Sequence, residues 1–240
     1  MKYLKYILAI FVIFTVTACS IDKDDALKFK EEYEALNGTL SSTGKKIKNI
    51  SISSSNPIKY SSYDEIIDVI KNKTGVIYFG FPECPWCRTA LPVLLKSAEE
   101  YNIDKIYYMN MEKERDFYEV KDGKLVLKKD ENGKEIKGSK GYFKLLKLLD
   151  SELDDYIVKD DNQKEYKVNE KRMYVPFVVF VKNGKIIGTH QSTVSSQIDA
   201  YSNLTDDQYD ELSGIYQEYL KKISNNYCDD ACWNKITFNI

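Results

Sequence analysis

Histidine is almost missing from this chain of 240 residues, with His190 its only example. Nucleophilic catalysis assisted by histidine, and metal binding by several histidines, therefore lack material. His190 itself is expected on the surface at a strand end. An excess of positive charge is missing too: 35 Lys and Arg face 37 Asp and Glu, a formal charge of −2, which offers no case for nucleic-acid binding. Also absent is a long apolar run. The best one, residues 6–18, is 13 residues, short of the roughly 20 that a membrane-spanning helix needs.

That short run has another meaning. Lys2 and Lys5 form a basic start, the apolar stretch follows, and Val16-Thr17-Ala18 places small residues directly before Cys19. This is the pattern of a signal peptide, residues 1–18, with a lipoprotein-type cleavage site. Cys19 would become the new N-terminus and carry two or three acyl chains, since one chain alone is only a marginal anchor. Without Lys2 and Lys5, 33 basic residues face 37 acidic ones and the mature charge is about −4. The chain is expected to be lipid-anchored to a bacterial membrane and to work outside the cytoplasm.

Cysteine is scarce, five residues in all. With Cys19 assigned to lipid, two close pairs remain: Cys84 with Cys87, and Cys228 with Cys232. An even number in an exported chain suggests oxidised pairs. Cys84-Pro85-Trp86-Cys87 lies between the apolar run Gly75-Val-Ile-Tyr-Phe-Gly80 and a helix-patterned stretch that begins at Arg88. One helical turn brings two such thiols within disulfide range. With Cys84 as N-cap and Pro85 at the first helical position, first-turn N–H groups and the helix dipole favour a thiolate at Cys84. Cys87, less exposed, would resolve.

About 220 residues follow the signal, enough for one elaborated domain. Asp24 or Asp25 can cap a first helix running to Leu36, with Asn37-Gly38 as its stop. Residues 48–53 alternate enough to be a strand. Ser61 or Ser62 caps a helix carrying Ile66, Ile67, Val69 and Ile70, and residues 75–79 read as a strand buried on both faces. After the cysteines, Leu91, Leu94, Leu95, Ala98 and Tyr101 recur at helical spacing, with Pro92 expected to kink the helix.

Residues 105–109 and 176–181 read as further strands, and Asn183-Gly184 turns the latter into a hairpin. Between them, residues 112–174 form an insertion. It carries hairpins around Asp122-Gly123 or Asn132-Gly133 and around Asp160-Asp161-Asn162, flanking a helix over 142–153. Its Lys-rich strands suggest a surface elaboration. Thr205 and Gln208 form a capping box that opens a last helix, to about Ser224. Alternation ending in a hairpin predicts an α/β protein, a mixed sheet with helices on both faces. The expected parts are a tether and helix over 19–45, the main domain over 46–200, and a C-terminal helix with a Cys-pair tail over 201–240.

These residues resemble the thioredoxin superfamily. The resemblance, over roughly residues 46–188, rests on Cys84-Pro-Trp-Cys87 after a buried strand, Pro92 five residues beyond the second cysteine, and Val175-Pro176-Phe-Val-Val-Phe-Val-Lys-Asn-Gly184 before a hairpin. The stretch from Gly75 to Cys87 also looks like exported thioredoxin-like lipoproteins grouped with bacteriocin accessory and maturation proteins. The family likeness implies a cis peptide bond before Pro176, which packs beside the disulfide, with an ordinary trans proline at a strand start as the alternative. It also implies that Val175 and Pro176 lie along bound substrate, while Trp86 reads as a packing or substrate-contact residue. The sequence departs from the family at Tyr78, where thioredoxin has a buried Asp that assists proton transfer at the resolving thiol. Glu83 abuts Cys84 and would raise its pKa if both are poorly solvated.

Alternatives attach to each motif. Cys84 and Cys87 could form a structural disulfide, or half of a zinc site completed by Cys228 and Cys232. The separation of about 140 residues and the Pro92 and Val175-Pro176 features favour a redox pair. Cys228 and Cys232 read as a structural staple, with a second redox pair, free thiols or metal binding as alternatives. The expected function is thiol-disulfide exchange on exported polypeptides, in either redox direction, with a redox partner and without organic cofactor or metal. The alternative is a non-enzymatic accessory of secretion or of bacteriocin export that binds peptides. A thiol peroxidase lacks the family's threonine and cysteine motif.

Overall fold

In a computed structural model, residues 21–224 are described. The expected signal peptide, Cys19, and the pair Cys228 and Cys232 lie outside them. In chain order the elements are α1 (Ile21–Glu34), β1 (Ile58–Tyr60), α2 (Tyr63–Asn72), β2 (Gly75–Gly80), α3 (Pro85–Glu100), β3 (Ile106–Asn110), β4 (Tyr118–Lys121), β5 (Lys124–Leu127), α4 (Lys140–Leu148), β6 (Asp154–Lys159), β7 (Glu165–Arg172), β8 (Phe177–Lys182), β9 (Lys185–Gln191) and α5 (Asp206–Ile223).

Five strands form one mixed sheet in the order β1-β3-β2-β8-β9. β3 pairs in parallel with both β1 and β2, while β8 runs antiparallel to β2 and to β9. β2 lies at the centre with every residue buried, as its uninterrupted apolar run requires. Its side chains divide between two cores by the strand's period of two. Val76 and Tyr78 join Phe29 and Tyr33 of α1, Leu91 and Leu94 of α3, and Leu212 and Tyr216 of α5. Ile77 and Phe79 join Ile66 and Val69 of α2 and Tyr142 and Leu145 of α4. The protein is thus an α/β molecule with helices on both sheet faces.

Local signals placed the helix starts. Ser62 caps α2 with a capping box closed by Glu65, and Thr205 caps α5 with one closed by Gln208. Such caps are each worth about 1 kcal/mol. The β8–β9 turn holds Asn183 and Gly184 at φ 53° and 72°, the left-handed conformation a two-residue hairpin demands.

Several expectations need correction. α1 begins at Ile21, before the expected caps at Asp24 or Asp25, and ends at Glu34 rather than Leu36. Residues 48–53 are not a strand. Their backbone groups are served by side chains of the first helix and its turn instead of a ladder: Asn37 bonds both N–H and C=O of Ile50, Glu34 accepts from Ile52 N–H, and Lys30 donates to Ile52 O. Alternating Ile50 and Ile52 reach the core all the same, which is why the pattern resembled a strand. The helix expected over 142–153 is α4 followed by a 3-10 turn, Asp150–Glu152.

The segment over 112–174 is more than a surface elaboration. Both Asp122-Gly123 and Asn132-Gly133 turn the chain, the latter between the bridge partners Lys129 and Glu135. Tyr142, Leu145, Leu149 and Leu153 are part of the second core. A buried ion pair, Arg172 Nη1 to Asp116 Oδ1 at 3.0 Å, ties the end of β7 to the chain leaving β3. The Arg172 guanidinium also lies over the rings of Tyr156 and Phe117, at 4.4 and 4.8 Å. His190 is not a surface residue either. It sits half-buried in β9, its ring edge-on to Tyr216 of α5 at 5.6 Å and bonded to Thr193 O, and burial lowers its pKa.

Candidate active site

β2 delivers the chain to the sheet's edge at Gly80, and Phe81-Pro82-Glu83 carries it to the start of α3. Cys84 is the N-cap, in extended conformation, and its sulfur accepts from the Cys87 N–H at 3.4 Å. Pro85, at the first helical position, has no N–H to leave unsatisfied there. A small loop is all that separates the two thiols, yet the helix turn sends them to different depths. Cys84 retains 6% exposure and Cys87 none. Both thiols are unbridged in the structure.

Across from α3, the Val175–Pro176 peptide bond is cis. The Cys84 thiol faces the carbonyl oxygen of Val175 at 3.6 Å. Trp86 is partly buried against the second core. The structure therefore brings together Cys84, Cys87, Val175 and Pro176, with Trp86 on the same helix turn.

Electrostatics separate the thiols. Cys84 is shifted below the ordinary thiol range chiefly by a hydrogen bond from Cys87, against its own burial, with help from the N–H groups of Cys87 and Trp86 and the charge of Arg115. Cys87 is pushed well above that range, first by its burial and then by the bond it donates to Cys84. The physical logic is that one thiolate is stabilised by donors and the other is denied water. Glu83 does not raise Cys84 as expected. Its carboxylate turns to the Ser42 N–H at 2.7 Å, and the net shift on the thiol is downward.

Three contributors lacked a sequence signal. Arg115, buried in the stretch after β3, donates from Nε to Met111 O at 3.3 Å and lays its guanidinium over Phe81 and Phe117. Its neighbours Glu112, Glu114 and Asp116 make it look like one charge in a solvated run. Arg88, the residue after Cys87, is 1% exposed and binds oxygens only: Lys48 O, Tyr33 O, Pro82 O and Asn37 Oδ1. It fastens the loop before Cys84 to α1 and to the irregular 47–53 segment. Tyr78, noted only as the residue in place of a carboxylate, is fully buried with its hydroxyl 3.3 Å from that of Tyr33. The Tyr78 hydroxyl and the Cys87 sulfur both border the space Gly80 leaves, where a Cβ would lie 2.5 Å from the hydroxyl oxygen and 3.1 Å from the sulfur.

No protein-family model matches the chain, and neither does any curated protein.

Proposed function

We propose that this chain is a thioredoxin-like thiol-disulfide oxidoreductase acting on exported polypeptides. The single observation that carries this reading is the unequal placement of two thiols on one helix turn: Cys84 at the N-cap, accepting the Cys87 N–H and facing Val175 O, and Cys87 fully buried behind it. A structural disulfide has no use for that difference. The central strand order, with two parallel neighbours on one side and an antiparallel hairpin on the other, supports the family resemblance. In this reading residues 112–174 are an insertion ahead of the cis-proline strand, and α1 and α5 are helical extensions at the two ends. Lipid on Cys19 holds the enzyme to the outer side of a bacterial membrane.

The mechanism uses the chain's own groups. The Cys84 thiolate attacks a substrate disulfide and forms a mixed disulfide, releasing one substrate thiol. Cys87 then attacks the Cys84 sulfur, and the second substrate thiol leaves. The reverse sequence oxidises substrate thiols. The backbone at Val175 and Pro176 lies alongside the reacting sulfur, where an extended peptide would align. No metal or organic cofactor takes part, and turnover needs a separate redox partner for the pair.

Trapping tests the proposal. Cys87→Ser should accumulate covalent adducts with exported proteins that thiols release, and Cys84→Ser should not. Equal adducts from both variants, or none from either, would refute the assigned roles.

A further inference from the structure

One arginine beside the site carries a charge that no carboxylate among the described residues pairs with. Arg115 is 7% exposed, and only its Nε is bonded, to Met111 O at 3.3 Å. Its guanidinium is held between two rings, 5.2 Å from that of Phe81 and 5.6 Å from that of Phe117. The carboxylates nearest in sequence are engaged elsewhere or turned to solvent: Glu114 accepts from the Tyr63 hydroxyl at 2.6 Å, Asp116 pairs with Arg172 at 3.0 Å, and Glu112 is exposed. Among the described residues nothing accepts from the terminal nitrogens of Arg115, yet they are not among the polar atoms sealed from solvent. A cation this buried is costly to leave unpaired, unless an anion arrives to meet it.

Short links join this clamp to the reacting thiol. Phe81 precedes Cys84 by three residues and its carbonyl accepts the Cys84 N–H at 3.3 Å, while Met111, which fixes Arg115 Nε, donates its own N–H to Gly80 O at 3.0 Å. Behind Phe117 stands the Arg172 guanidinium, 4.8 Å from the same ring. Arg172 lies three residues before Val175, whose carbonyl faces the Cys84 sulfur at 3.6 Å. Arg115 is therefore gripped between the loop that leads to Cys84 and the insertion that leads into Val175 and Pro176. Its charge helps to hold Cys84 below the ordinary thiol range, as such nearness requires.

Resting on the exchange reaction proposed above, we infer that Arg115 is a specificity residue whose terminal nitrogens bind a carboxylate of the substrate polypeptide close to its reacting cysteine. A guanidinium with rings over its faces has only its edge left to bind with, and that edge carries N–H groups in the plane a carboxylate accepts as a fork. Stacking on the two rings replaces part of the hydration it loses and fixes that plane. Lysine offers a point charge and no fork. Polypeptides with Asp or Glu near the cysteine, or with the chain end there, are the favoured substrates. Glu83 does not compete for the guanidinium, its carboxylate being bonded to the Ser42 N–H at 2.7 Å.

The bound carboxylate moves no proton and no electron. It holds the substrate beside Cys84 while the Cys84 thiolate attacks one sulfur of the substrate disulfide and the other sulfur leaves as a thiolate. An anion on Arg115 also removes part of the help this cation gives the Cys84 thiolate. The gain therefore lies in capture of one class of substrate, and it is read as a preference between substrates.

Stopped-flow reaction of the reduced full chain with end-blocked peptides tests this. Each peptide carries one cysteine as a mixed disulfide with a coloured aromatic thiol, and Glu or Gln at one of the two positions on either side. Rates of colour release are divided by those of the same peptide with a small neutral thiol, and the ratio of Glu to Gln peptides cancels any change in Cys84 ionisation. That ratio should reach about five- to twentyfold at one position, between the value of an exposed ion pair and that of a hydrogen bond to a charged group. It should fall towards unity with added salt and in Arg115→Met, and only part of the way in Arg115→Lys. A further peptide, with Gln and a free chain end after the cysteine, separates a terminal carboxylate from a side chain as the source. A ratio of unity at every position in the unaltered chain, with no preference for the free end, overturns the inference. So does a ratio kept in Arg115→Met or, should that variant not fold, kept in full in Arg115→Lys. Absence of colour release from every peptide would instead overturn the exchange reading itself.

Discussion

Around Cys84 the stabilising groups are first the Cys87 thiol and then backbone N–H donors and a guanidinium; Cys87 is enclosed in the second core, where its burial outweighs the donor it finds in the Phe81 backbone. Cys84 belongs to the helix end, where unsatisfied donors are a property of the helix itself. Cys87 belongs to the interior, where loss of water outweighs the few donors that reach it. Three residues therefore separate a thiol controlled by secondary structure from one controlled by packing. The contrast teaches that identical groups in one motif can be driven in opposite directions by their surroundings while remaining linked, because the Cys87 thiol is itself the first of the groups that stabilise a Cys84 thiolate.

The largest disturbance of that contrast is expected from Gly80→Ala. Its Cβ would fall on the Tyr78 hydroxyl and the Cys87 sulfur, and overpacking of this kind costs about 1–3 kcal/mol. Denaturant unfolding of the reduced protein should show that loss, and resolution by Cys87 should slow, while Cys84 still alkylates near neutral pH. Retention of full stability would mean that the gap is not filled as described.

Smaller is the dependence of stability on pH. Cys84 has a folded pKa below the ordinary thiol value of about 8.5, so the unfolded chain binds more protons there and stability rises with pH between the two values. Cys87 has a folded pKa above that value, so above pH of about 8.5 the unfolded thiol ionises first and stability falls. Beside the acid-side loss from Glu34 and Glu65 and the strongly alkaline loss from the buried tyrosines, equilibrium unfolding of the reduced form should show a rise towards pH of about 8.5 that Cys84→Ser weakens and a fall just above it that Cys87→Ser weakens. Variant curves parallel to that of the unaltered chain would contradict the opposed shifts.

Next comes Arg115→Met, which keeps the apolar packing against Phe81 and Phe117 but removes the charge. Alkylation of the reduced protein across pH should give a higher midpoint for Cys84, with no matching fall for Cys87. An unmoved midpoint would assign the acidity of Cys84 to the helix end alone. The smallest effect belongs to Glu83→Gln. Because this carboxylate is turned to Ser42 N–H, the Cys84 alkylation profile should be unchanged. A clear fall in the midpoint would restore the repulsion the sequence suggested.

The parts of the site legible in the sequence are those that depend on neighbours in the chain. Cys84 as N-cap, Pro85 after it, the capping boxes at Ser62 and Thr205, the β8–β9 turn and the buried β2 follow from local patterns, because caps, turns and apolar runs act over a few residues. The failures share the opposite property. Residues 48–53 had strand alternation but were claimed by Asn37 and Glu34. Glu83 stood beside Cys84 in sequence and bonded 41 residues away. Arg115 read as part of a charged run, and only the ion pair between Asp116 and Arg172 with the rings around it shows why Arg115 and Asp116 are buried.

By itself the sequence determined that two thiols would share one helix turn, with Cys84 at the end bearing free N–H groups, because spacing and caps are properties of a single segment. Only tertiary structure decided how acidic each would be. Desolvation and charge act through space: α1 brings Tyr33 across 45 residues to Tyr78, the chain after β3 brings Arg115 to the mouth of the site, and β7 hands the chain to Val175 and Pro176 beside the sulfur.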